Sequence, residues 1–140
     1  MINSEEIKKI INQRTRDWVD ITADDKELIH DYAKSVLSHC EELGIVFDET
    51  AGSVFVTHLT TLFNRINENF EMELDQETLS QIDKDLLEIS ESINDITLKY
   101  YKKQLNRTEK FLVATHVGSM RERNREKEEA DGKNKNCHCA

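Results

Sequence analysis

With 140 residues the chain is long enough for one domain around a single core, and 37% hydrophobic with 34% charged residues suits an exposed helical bundle better than a compact sheet protein. It has no proline and only four glycines, so the turn punctuation that a β-rich fold needs every 8–12 residues or so is missing, and the fold class is all-α. A net charge of −9 opposes binding to phosphate backbones, which excludes a direct nucleic-acid partner.

No stretch approaches the ~18 apolar residues of a membrane span, and the N-terminus MINSEEIKKII has no apolar leader, so the chain is expected in the cytoplasm without a membrane partner. Ile7, Ile10, Ile11, Trp18 and Ile21 follow helical spacing behind Ser4 as a cap, which predicts an amphipathic N-terminal helix over 1–21. Thr22 and Asp25 form a capping box for a second helix through Leu28, Ile29, Tyr32, Ala33, Val36, Leu37, Cys40 and Leu43, closed by Gly44. On it, Cys40 reads as a small buried hydrophobe, and His30 and His39 as surface or rim residues.

Asp48 opens the third helix, whose apolar face is Phe55, Leu59, Leu62, Phe63 and Ile66. After a loop around 69–74, Asp75 caps a long segment in which Leu79, Ile82, Leu86, Ile89, Ile93, Ile96 and Tyr100 form a coiled-coil-like seam; Asn94-Asp95 is a candidate break. The last helix starts at Asn106, with Glu109 at its N3 position, and runs to about Lys127. Short connections make consecutive helices antiparallel, an up-and-down bundle over 22–126. Residues 127–140 offer no apolar surface and are expected to form a disordered tail. Arg121, Arg123, Arg125 and Lys127 interleave with glutamates, the pattern of a solvated helix face.

Two histidines carry candidate chemistry. His58, in VFVTHLTTLFNRI, sits at the rim of its apolar face, and Arg65, seven residues on, projects within about 20° of it. Neutral imidazole is a nucleophile near pH 7, and a guanidinium fork holds phosphoryl oxygens. His116, in EKFLVATHVGSM, shares one stripe with Glu109 and Arg123, seven residues before and after it. A carboxylate that accepts one imidazole N–H leaves the other nitrogen to attack, although seven residues of helix span about 10.5 Å. Spacing alone favours a border histidine in an ordinary hydrogen bond, and Glu109 as a capping residue and Arg65 paired with Glu68 or Asp48 would equally explain those two residues.

These segments resemble the histidine motifs of the PTS regulation domain family. THLTTLFNRI is similar to the first motif, a histidine followed by an arginine seven residues later, and EKFLVATHV to the second, a glutamate seven residues before a histidine. The likeness covers about 22–126 and implies an antiparallel five-helix bundle, here with an additional N-terminal helix. It implies phosphorylation of His58 and His116 by the histidine phosphocarrier HPr or an enzyme IIB component, with Arg65, Glu109 and Arg123 in support. It further implies a homodimer whose packing responds to phosphate and regulates transcription, with no cofactor and no enzymatic activity. Family members often carry aspartate before the first histidine, where this chain has Thr57. Met1–Ile21 is shorter than the nucleic-acid-binding module that usually precedes the domain, so action in trans is expected.

Two alternatives belong to other classes. One is a helical scaffold that is never phosphorylated. The other is a small metal carrier that uses Cys137, His138 and Cys139, three soft ligands in the terminal NCHCA. The chain has no nucleophile motif or glycine-rich loop to suggest an enzyme.

Overall fold

The computed structural model describes residues 2–68, 77 and 80–138, with side chains to Glu129 apart from that of residue 67. The described residues are all-α and contain five helices and no strand: α1 (Ser4–Arg14), α2 (Ala23–Glu42), α3 (Glu49–Glu68), α4 (Lys84–Tyr101) and α5 (Arg107–His138). None is long and apolar enough to cross a membrane.

Local chemistry sets most boundaries. Thr22 Oγ1 accepts from Asp25 N–H and Asp25 returns the bond to Thr22 N–H, the expected capping box of α2. At the far end Gly44 takes φ +82°, which an L side chain rarely adopts, and the chain reverses toward α3. Asp48 caps α3 by accepting from Ala51 N–H at 2.7 Å.

Other boundaries differ from the spacing. The cap of α1 is Asn3, which accepts from Glu6 N–H, and Ser4 is the first helical residue. The helix stops at Arg14, so Trp18 and Ile21 lie in the link to α2 rather than on its stripe. Thr15 ends α1: its hydroxyl donates back to Ile11 O at 2.7 Å, and Thr15 and Asp17 are both weak helix formers. The long seam helix is also shorter than expected, because residues 81–83 form a turn and α4 begins at Lys84. Arg121 of α5 pins that start by donating to both Asp83 and Asp85, a long-range grip that apolar spacing cannot show. Asp75 and Leu79 lie outside the described residues.

Asn94 does not break α4; it is buried and accepts from Leu105 N–H at 2.7 Å, which secures the turn into α5. The backbone of α5 continues past Glu126 to His138, through the segment set apart as a tail. Lys127, Glu128, Glu129 and Ala130 are good helix formers, so the first turn past Glu126 is locally favoured without an apolar partner.

Contacts between helices give their directions. From Arg65 back to His58 along α3, the facing residues on α5 run forward from Glu109 to His116, so the two helices are antiparallel. α2 and α4 are likewise antiparallel: Ser35 meets Tyr100, and His39 meets Ser92. Tyr32, Phe55, Leu59, Leu62, Ile93 and Val113 are fully buried between these pairs. Each large aliphatic side chain so removed from water contributes about 1.5–3 kcal/mol. Gly118 lets α4 approach α5, since a Cβ there would stand 2.9 Å from Leu86 Cδ1.

Candidate functional site

The two histidines meet across α3 and α5, with ring centroids 4.7 Å apart and planes at 38°. Phe55, one turn before His58 on α3, lies 5.5 Å from the His116 ring, and Phe47 stacks on Phe55 at 4.6 Å. A row of four rings thus leads from the α2–α3 link to His58. The link itself is clamped from α5: Asn124 donates to Val46 O at 3.1 Å and accepts from Val46 N–H at 2.8 Å.

Arg65 is the centre of the polar contacts. Nε and Nη2 donate to Oε1 and Oε2 of Glu109 at 2.8 and 3.1 Å, the two-pronged geometry in which guanidinium and carboxylate bind most strongly. Nη1 donates to Thr61 Oγ1 at 2.8 Å, and Nη2 also reaches His58 Nδ1 at 3.3 Å. Asn106 Oδ1 accepts from Glu109 N–H at 2.9 Å, so the cap of α5 holds this carboxylate in place.

Glu109 is therefore not the orienting group of His116 that its stripe suggested. Its carboxylate crosses to α3, where it grips Arg65 and lies 3.9 Å from His58 Nε2, beyond hydrogen-bond range. His58 Nε2 is buried and has no hydrogen-bond partner among the described residues. Arg123 is not beside His116 either; it is half-exposed and pairs with Asp48 at 2.7 Å, at the start of α3. Arg65 pairs with neither Glu68 nor Asp48 among the contacts it makes.

Both imidazoles stay neutral at physiological pH. Burial, then the His116 ring and the Arg65 charge, push His58 down to about 3. His116 is half-buried and is also lowered, by burial and then by Arg65. A neutral imidazole keeps one lone pair in the ring plane, and Arg65 is a fixed cation at its side, so the arrangement has the parts that accept and hold a phosphoryl group.

His30 and His39 serve the fold. His30 is buried rather than at the surface: its Nε2 lies 2.6 Å from Ser4 Oγ and its Nδ1 3.1 Å from Asp31 Oδ1, which ties α1 to α2. His39 sits at the rim, 2.8 Å from Ser92 Oγ. Cys40 is fully buried, which pushes its thiol up to about 12 and keeps it inert. No group of three or more potential metal ligands occurs among the described residues; Cys139 and the side chains of Cys137 and His138 lie outside them. Thr61 as a partner of Arg65, one helical turn before it, and Phe55 as a neighbour of His116 were not expected from the spacing.

A family model described as PRD domain matches residues 33–120, more than half of the chain, and the match includes His58, Arg65, Glu109 and His116. No curated protein and no solved structure matches the chain.

Proposed function

This chain belongs to the PRD domain family, and from that premise we propose that it is a phospho-acceptor domain of the bacterial sugar phosphotransferase system, modified on His116 and His58. PRD domains are regulatory rather than catalytic. The donor is HPr or an enzyme IIB component, and the output is a change in protein contacts that governs transcription. The observation that carries this is the apposition of two neutral imidazoles, 4.7 Å apart, with Arg65 bonded to one of them. Each added phosphoryl group brings roughly two negative charges, and in a chain at −9 that charge must be met by a guanidinium or relieved by repacking. The contact that responds is a two-fold dimer; exposed Val54 and Leu43, on the helix and link beside the site, are apolar surface for it.

The test is mass spectrometry under alkaline conditions after incubation with phosphorylated HPr and enzyme IIB proteins, paired with light scattering. Phosphate on wild type, lost in His58→Ala or His116→Ala, with a shifted monomer–dimer balance, is the expected result. A scaffold that is never modified is favoured by one observation, the closure of Arg65 on Glu109 over a buried His58. Absence of phosphate on wild type with every donor decides for the scaffold.

A further inference from the structure

We propose that Arg65 orders the two acceptors: His116 takes a phosphoryl group first, and His58 becomes a nucleophile only when Arg65 turns away toward that group. The inference rests on the phospho-acceptor function proposed above and concerns its regulation.

Arg65 can donate hydrogen bonds but cannot accept them. Every polar hydrogen-bonding group of a guanidinium is an N–H, so the 3.3 Å contact from Arg65 Nη2 requires His58 Nδ1 to be the acceptor. The lone pair of Nδ1 is therefore engaged. In a neutral ring the other nitrogen then carries the proton, and an Nε2–H has no in-plane lone pair with which to attack phosphorus. Nε2 is in addition buried, facing Glu109 Oε2 at 3.9 Å. Both nitrogens of His58 are closed, one by a hydrogen bond and one by a proton.

His116 is in the opposite condition. It is half-buried, its close neighbours are the rings of Phe55 and His58, and it makes no hydrogen bond to the described residues. Its unprotonated nitrogen can attack the phosphorus of a donor phosphohistidine. The new N–P bond forms as the donor's N–P bond breaks, the bonding pair returns to the donor ring nitrogen, and the N–H of His116 is kept.

The product is a dianion next to a cation whose charge already acts on His116. Arg65 does not have to abandon Glu109 to answer it. Nε can keep its 2.8 Å bond to Oε1, so the buried carboxylate stays paired, while Nη2 swings from His58 Nδ1 to a phosphoryl oxygen. A guanidinium bonds more strongly to a phosphoryl oxygen than to a neutral imidazole nitrogen, so the exchange is downhill. That move frees the lone pair of His58, and the same reaction with a second donor can follow, slowed by the charge already present.

Phosphoramidate, a small donor that needs no docking surface, and phosphorylated HPr are used in parallel, with sites assigned by alkaline mass spectrometry. Wild type is expected to gain phosphate on His116 before His58, and His58→Gln to carry one phosphoryl, on His116. In His116→Gln the labelling of His58 falls at least tenfold. Adding Arg65→Gln and Glu109→Gln together to that variant removes both members of the ion pair, leaves no bare buried charge, and restores the label. His58 labelled in His116→Gln at the wild-type rate, or no recovery in the triple variant, overturns the ordering and leaves the acceptor function standing. No label on wild type from either donor overturns both. Nitrogen-15 spectra of His58 in wild type and His116→Gln give a readout free of phosphate: Nδ1 unprotonated and Nε2 protonated is expected, and the reverse tautomer sinks the proposal.

Discussion

Arg65 and Glu109 hold each other across the gap between α3 and α5 on unequal terms with water. The arginine side chain keeps a quarter of its surface exposed, whereas that of the glutamate keeps 2%. The pair is a one-sided dependency, because only one of the two charges has solvent to fall back on.

Arg65→Ala therefore strands a buried carboxylate and is expected to destabilise the fold by about 3–5 kcal/mol. Glu109→Ala leaves an arginine that can turn outward, at a cost of about 1–2 kcal/mol. Urea denaturation of both variants checks the order. A larger loss for Glu109→Ala would mean that the carboxylate is hydrated in solution.

The pH dependence follows from His58. Its folded-state pKa is near 3, against about 6.5 for an unfolded imidazole. Between these values the unfolded chain binds a proton that the folded chain refuses. The stability from this group is thus complete above about pH 6.5 and is lost as pH falls toward 3, and His116, also lowered, has the same sign. His58 contributes a slope of up to about 1.4 kcal/mol per pH unit in that window. Urea midpoints from pH 7 to pH 4 should fall more gently in His58→Gln than in wild type. Parallel curves would show a hydrated His58.

Asn124 bonds both backbone groups of Val46, at 2.8 and 3.1 Å, on an exposed face. Asn124→Ala is expected to lose about 1 kcal/mol, because water can replace much of what is removed. The sharper readout is hydrogen exchange: the Val46 amide should exchange faster in the variant, while amides in the middle of α3 stay as protected as before. Uniform acceleration would indicate a global loss instead.

Two glycines should respond in opposite ways to alanine. Gly44, at φ +82°, gains strain, and Gly44→Ala should cost about 1 kcal/mol. At Gly118 the new Cβ meets only the end of the Leu86 side chain, which can turn aside, and alanine brings about 1 kcal/mol of helix propensity. Gly118→Ala should be as stable as wild type or gain up to about 1 kcal/mol. Thermal melts of the two variants distinguish these outcomes.

What the amino-acid order made legible is what depends on neighbours along the chain. The caps at Thr22, Asp48 and Asn106, the apolar faces of α2 to α5 and the proximity of His58 to Arg65 are all local, within two helical turns. What it hid depends on which helix lies opposite. Glu109 sits on the stripe of His116, yet the facing helix offers a guanidinium, and a bidentate ion pair is stronger than a distant imidazole. Arg123 went to Asp48 and Arg121 to the start of α4 for the same reason. His30 looked peripheral because Ser4, which meets it, is 26 residues away.

The site is built from two equal intervals: His58 to Arg65 on α3, and Glu109 to His116 on α5, set head to tail. Equal spacing on antiparallel helices means that each position has a fixed opposite number, 65 with 109 and 58 with 116. A change at one position alters the demands on a residue 44 or 58 places distant, beyond its effect on its own helix, where Arg65 also bonds Thr61 and His58. Substitutions among relatives should accordingly arrive in couples. A chain that replaces the arginine should also have given up the glutamate, and an insertion of one residue inside either interval should be absent wherever both histidines are kept.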